Sequence, residues 1–111
     1  MVLWKGKEFR CPVEVTIDIV GGKWKCLILW HLHEGKMRFK ELERIVPGVS
    51  QKMLTQQLKE MEKDELLVKT VYPEVPPRVE YELTLRGRSL FPLLQAMHDW
   101  AVDELKLDVE K

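Results

Sequence analysis

The chain has no apolar run near the ~18 residues that a membrane-spanning helix needs, so no membrane span is expected. Its first ten residues, Met-Val-Leu-Trp-Lys-Gly-Lys-Glu-Phe-Arg, carry no apolar core of signal-peptide length. Cysteine is scarce: Cys11 and Cys26 are too few for a disulfide scaffold and fit a reducing, cytoplasmic setting. Net charge is zero, which excludes a molecule that binds polyanions over its whole surface. Gly21-Gly22-Lys23-Trp24 is not a phosphate-binding loop, because the Gly-x-x-x-x-Gly-Lys-Ser/Thr spacing is missing. No acid/base pair, nucleophile constellation or cofactor loop is clustered in the sequence, so neither an enzyme nor a cofactor is expected. His31 and His33 are two residues apart on a helix and face apart. With Cys26 they make a poor metal set, and no metal site is expected. His98 is read as structural too. Repeats, linkers and low-complexity segments are also lacking.

What remains is one domain of 111 residues with an ordinary balance of 45% hydrophobic and 32% charged residues. A core of that size is modest, and pairing with a second copy would enlarge it. The charge is not evenly spread. From Lys36 to Lys63, seven basic residues against four acidic ones leave +3, whereas Asp64 to Glu82 is net acidic. A local basic face on a neutral chain fits a DNA binder that contacts few phosphates and weakens with salt.

Hydrophobic periodicity sets the element order. Residues 1–10 read as a loose arm. Pro12 starts a helix that ends at Gly21-Gly22. A second helix from about Lys23 to His33 is apolar nearly all round and is expected to be buried on more than one side. Met37-Arg38 suits a very short strand, and Phe39 to Val46 a third helix. Pro47-Gly48 breaks it, and Ser50 caps a fourth helix that runs to Lys63. Leu67–Tyr72 and Arg78–Leu83 read as strands around a stiff Pro73-to-Pro77 tip. Thr84 caps a terminal helix from about Leu85 past Trp100, with Pro92 expected to kink it or to shift its start. The expected class is mainly α with a small β-hairpin (α+β), a winged helix-turn-helix with terminal dimerisation helices. Its divisions are an arm over 1–10, a DNA-binding module over 11–84 and a dimerisation helix over 85–111.

The fourth helix is the most telling. Leu54, Leu58 and Met61 form one apolar stripe, and Lys52, Thr55, Gln56 and Lys59 project from the other side. These residue types bond phosphates and base edges alike. Lys52 and Gln56 are the expected base readers. Ser50, Gln51, Thr55 and Lys59 are expected close to phosphate or groove edge. Arg38, Lys40 and the wing's Lys69 are expected as phosphate clamps, and Arg78 as a minor-groove arginine or the partner of a neighbouring acid. The same fold without DNA binding, as a protein-interaction module, is the alternative that the basic face opposes.

Collinear segments then resemble a known family. These are Cys11-Pro12-Val13-Glu14, Gly21-Gly22-Lys23-Trp24, Arg38-Phe39-Lys40-Glu41-Leu42, Ser50 to Leu58, Tyr72 to Tyr81 and Leu83-Thr84-Leu85-Arg86-Gly87. They are similar to the HxlR-type winged-helix regulators, related in fold to the MarR group. The resemblance covers about residues 11–88. It implies a homodimer on a palindromic operator, formed through the terminal helices, with Val13, Ile17, Leu90, Leu94, Met97, Trp100 and Ala101 as interface candidates. It implies double-stranded DNA as partner and repression, or activation in some members. The effector is left open. Some members sense oxidants or electrophiles through a cysteine at the place of Cys11. Here Cys11 stands at a helix start beside Arg10, and both favour a thiolate; a small residue filling a gap is the other reading. One departure is Asp64-Glu65-Leu66, where many members carry Asp-Gly-Leu.

Overall fold

The computed structural model describes residues 1–109. Their order is β1 (Val2–Trp4), β2 (Lys7–Phe9), α1 (Pro12–Val20), α2 (Lys23–Leu32), β3 (Met37–Arg38), α3 (Phe39–Ile45), α4 (Gln51–Lys63), β4 (Leu67–Tyr72), β5 (Arg78–Leu83), α5 (Leu85–Arg88) and α6 (Phe91–Leu105). Strands β3, β5 and β4 form one antiparallel sheet with β5 in the middle, Met37 opposite Tyr81 and Leu67 opposite Leu83. The fold is a winged helix-turn-helix.

The core is built on α4. Leu54, Leu58 and Met61 are fully buried, in one cluster with Ile28, Leu29 and Leu32 of α2, Leu42 and Val46 at the α3 end, Leu66, and Leu67, Tyr81 and Leu83 of the hairpin. Each buried aliphatic side chain contributes roughly 1.5–3 kcal/mol, so the stripe sets which side of α4 faces outward. The buried face of α2 is Ile28, Leu29 and Leu32, while Leu27 stands 36% exposed. On the other side of α2, Trp30 stacks on Phe91 (6.0 Å) and His98 (5.3 Å), and His33 meets Phe91 at 4.5 Å. This ring cluster ties α2 to α6 and gives two of the three histidines packing roles. Beside it, hydrogen bonds from His98 and Gln95 hold the Asp99 carboxyl below the usual carboxylate range.

Two expectations about the termini are corrected. Residues 1–10 are no loose arm: β1 and β2 pair in register, Val2 with Phe9 and Trp4 with Lys7. Lys5 (φ 49°) and Gly6 (φ 74°) form the two-residue turn, whose left-handed backbone matches the strand twist. Phe9 is buried and pins the hairpin to the body. The terminal helix is two helices, α5 and α6. Pro92 sits in the first turn of α6, where its missing N–H costs nothing. Gly87 in α5 is required by close approach: a Cβ there would stand 2.1 Å from the Leu66 carbonyl oxygen. The last two residues of the expected 85–111 segment lie outside the described residues.

The C-terminal end of α4 closes in a Schellman motif. The Leu66 N–H donates to Met61 C=O and the Glu65 N–H to Glu62 C=O, both at 2.9 Å. Glu65 takes the left-handed conformation itself, at φ 61°. The glycine that the family pattern places here is therefore replaced without loss of the motif, at the cost of Cβ strain. Glu65→Gly is expected to raise unfolding stability by about 0.5–1 kcal/mol, read from the urea midpoint; a lower midpoint would contradict the strain at this residue.

Candidate nucleic-acid interface

The exposed side of α4 follows from its buried side. With Leu54, Leu58 and Met61 inward, Gln51, Lys52, Thr55, Gln56 and Lys59 are all solvent-exposed. Together with Phe39 of α3 they line one open concavity of 690 Å³. The helix begins at Ser50, whose Oγ accepts the Met53 N–H at 3.0 Å. The N-terminal end of α4 thus opens beside Gln51 and Lys52, and its partial positive charge favours an anion there.

A second hollow of 850 Å³ adjoins the first through Phe39 and Thr55. Its walls are the β3–α3 segment, with Arg38, Lys40 and Arg44, and the wing, with Lys69, Pro76, Pro77 and Arg78. Arg38 is placed by the strand-to-helix junction, where its N–H donates to Glu41 Oε1 at 2.9 Å and opens α3. Tyr81 closes the base of this hollow, and burial, with the Glu62 carboxylate second, pushes its phenol pKa up. Among the described residues, Arg38, Lys40, Arg44, Lys52, Lys59 and Lys69 take part in no ion pair. Six unpaired cations around two joined hollows form a surface suited to a phosphate backbone.

The sequence-based candidates fare unequally. Ser50, Gln51, Lys52, Thr55, Gln56, Lys59, Arg38, Lys40 and Lys69 all border the two hollows or cap the helix that does. Arg78 borders the second one but is engaged: its guanidinium lies 3.1 Å from Glu74 Oε2, 3.7 Å from Glu80 Oε2 and 4.1 Å over the Tyr72 ring. It braces the two wing strands. Arg44 was missed, although its place four residues after Lys40 puts both on one helix face. Of the terminal-helix candidates, Val13, Ile17, Met97 and Trp100 are exposed and Leu90 and Ala101 half-buried. Leu94 is 5% exposed and belongs to the protomer's own core cluster, which leaves little of it for a second copy. A periodic stripe cannot distinguish a chain's own core from a partner's.

Cys11 is exposed and forms the N-cap residue of α1. Arg10 beside it is committed to Glu14, with its guanidinium 3.1 Å from Oε2, so the cation expected to favour a thiolate is shared with a carboxylate. Cys26 donates its thiol to Val20 C=O at 3.2 Å, and burial pushes its pKa up, as for a packing cysteine.

The model of the HxlR-like helix-turn-helix matches residues 19–108. The chain belongs to the HxlR-like helix-turn-helix family. This is a family of DNA-binding transcriptional regulators and not of enzymes. The HTH-type transcriptional regulator YdeP of Bacillus subtilis is 52% identical over 90 residues, 81% of this chain and 70% of YdeP. Among solved structures, the redox regulator HypR in its reduced form superposes with a TM-score of 0.80 at 47% identity, covering 84% of this chain and 92% of that one. The reduced form of the regulator YodB from B. subtilis superposes at 0.72 and 40% identity, covering 86% and 94%. Among the described residues of this HxlR-like chain, no helix is long and apolar enough to cross a membrane.

The Ser50 cap yields a direct check on the start of α4. Ser50→Ala is expected to lower unfolding stability by about 1 kcal/mol in urea titration, because the Met53 N–H loses its acceptor; an unmoved midpoint would show that the cap contributes nothing.

Proposed function

We propose that this HxlR-like chain is a sequence-specific transcriptional regulator, a repressor, that binds a palindromic operator as a homodimer in the cytoplasm. The observation that carries this is the single concavity lined by Gln51, Lys52, Thr55, Gln56 and Lys59, joined to basic walls from α3 and the wing. Within the DNA-binding module over 11–84, Lys52 and Gln56 read base edges, as lysine suits guanine and glutamine adenine. Thr55 meets a thymine methyl or a phosphate, and Gln51 the groove edge. Ser50, Lys59, Arg38, Lys40 and Lys69 hold phosphates and set the register. Arg44 joins them from the same face of α3. Arg78 acts at the minor groove through the wing that it braces.

Two copies pair through α1 and α6. Val13 at 65%, Ile17 at 59%, Met97 at 49% and Trp100 at 62% exposure leave an apolar surface that suits a second copy, flanked by Leu90 and Ala101. The two recognition helices then enter successive major grooves about 34 Å apart. An effector that changes the angle between the copies releases DNA, because both helices no longer match the groove spacing.

Cys11 is the point of entry for such a signal, a reading that the redox regulator HypR among the relatives supports. The thiol adds to an electrophile such as a quinone. A sulfur–carbon bond forms and the thiol proton passes to the quinone oxygen, so no separate oxidant is needed.

Lys52→Ala together with Gln56→Ala is expected to abolish preference for a duplex selected by the wild-type protein, with dimer mass by sedimentation unchanged. An unaltered footprint would sink the recognition role of α4. Cys11→Ser is expected to retain DNA when quinone strips it from the wild type, as followed by fluorescence anisotropy. Equal release from both proteins would end the sensor role of Cys11.

A further inference from the structure

The apolar stripe of α4 fixes which face points outward but not the tilt of the helix, since hydrophobic contact has no preferred direction. Base reading demands placement within about 1 Å, so tilt matters. At ~1.5 Å per residue, α4 is about 20 Å long. A small rotation about the buried stripe moves its ends by more than that tolerance.

Three long-range polar contacts hold the half of α4 that is remote from Ser50. Glu60 Oε1 accepts from Lys25 Nζ of α2 at 2.8 Å, and Lys25 is itself buried, at 7% exposure. The Asp64 carbonyl accepts from Arg86 Nη1 of α5 at 3.0 Å. Lys5, at the tip of the N-terminal hairpin, donates its ammonium to the Lys63 carbonyl and lies 3.1 Å from Asp64 Oδ1. The Schellman bonds occupy the Met61 and Glu62 carbonyls. Lys5 and Arg86 therefore supply donors to the two that follow, and both place positive charge at the negative end of the helix dipole.

The hairpin is built to hold Lys5 there. Its turn residues have the left-handed backbone that a two-residue loop requires, Phe9 is buried, and Lys7 Nζ reaches Asp18 of α1 at 3.5 Å. One side of the strap rests on α1, and its tip grips a residue 58 positions further along the chain.

We infer that the N-terminal hairpin belongs to the DNA-reading apparatus, with Lys5 as a positioning residue that fixes the tilt of the recognition helix. This rests on the proposed reading of DNA by α4. Lys5 holds the end of α4 remote from the Ser50 cap and lines neither of the two hollows. Its contribution to global stability is small, because a solvent-exposed ion pair is screened. Its contribution to selectivity is not, because α4 without the strap samples tilts in which Lys52 and Gln56 miss their base edges.

The test substitutes Lys5→Asn. Asparagine followed by Gly6 is a favoured pair for this turn, so the hairpin keeps its geometry while the ammonium is lost. Binding is measured by anisotropy on a duplex selected by the wild-type protein from a random pool, and on a scrambled duplex of the same composition, over a range of salt. The melting temperature is expected to stay close to wild type. Affinity for the selected duplex is expected to fall about threefold, the scale that an exposed ion pair can carry, with scrambled-duplex affinity unchanged. The salt slope is expected to be unchanged and Lys5→Arg to restore selectivity. Equal loss on both duplexes with a slope shallower by about one per protomer would make Lys5 a direct phosphate contact and overturn the positioning role. Unchanged selectivity in Lys5→Asn would overturn it as well. If the Lys52/Gln56 double variant keeps its selectivity too, the reading of DNA by α4 fails; if only the Lys5 variant does, the fault lies with the strap alone.

Discussion

Burial of Leu54, Leu58 and Met61 against α2 and the base of the hairpin decides which side of α4 forms the surface proposed to face DNA. Because a helix turns about 100° per residue, fixing three inward positions also fixes five outward ones. Gln51, Lys52, Thr55, Gln56 and Lys59 are held on one surface without any of them needing a partner in the protomer. The same stripe carries α4 over the start of β4, so the wing is placed by the packing that places the helix. Ser50 closes one end of this element, and the Schellman turn at Glu65 closes the other.

Charge is arranged around that packing in two ways. On the concave side six cations are left unpaired and only Arg78 is engaged, so the six would lose no internal partner on meeting phosphate. Elsewhere several are consumed in contacts: Lys25 with Glu60, Lys7 with Asp18, Arg10 with Glu14, Arg86 with Glu65. A net charge of zero thus hides a sorted surface, in which pairing serves shape on one side and its absence serves binding on the other.

Features carried by short-range pattern were legible in the sequence. The α4 stripe, the Ser50 and Thr84 caps, the alternating Arg78–Leu83 strand and the helix break near Pro92 each depend on a few neighbouring residues. The N-terminal hairpin was not legible, because three-residue strands are too short to show a period and Lys-Gly is a weak turn signal beside Asn-Gly. Leu94 lies in the protomer's own core cluster, which periodicity could not show, because it gives a face but not its neighbour. Arg78 was left between two roles, and only the positions of Glu74, Glu80 and Tyr72 show it to be braced. Lys5 and Lys25 could not have been found at all: their partners lie 58 and 35 residues away, and nothing local marks them.

The close crossing of Gly87 over the Leu66 carbonyl also determines where this molecule can bend. Backbone at that distance leaves no slack, so α5 and the first residues of the wing behave as one welded piece, and the Thr84 bonds to Glu65 and Leu66 add two more rivets. The step at Ser89–Leu90 before α6 is bridged as well, with the Ser89 N–H donating to Leu85 C=O and the Leu90 N–H to Gly87 C=O. Helix α6 is thus joined to the rest of the protomer twice, along this bonded step and sideways through the Trp30 ring stack on α2.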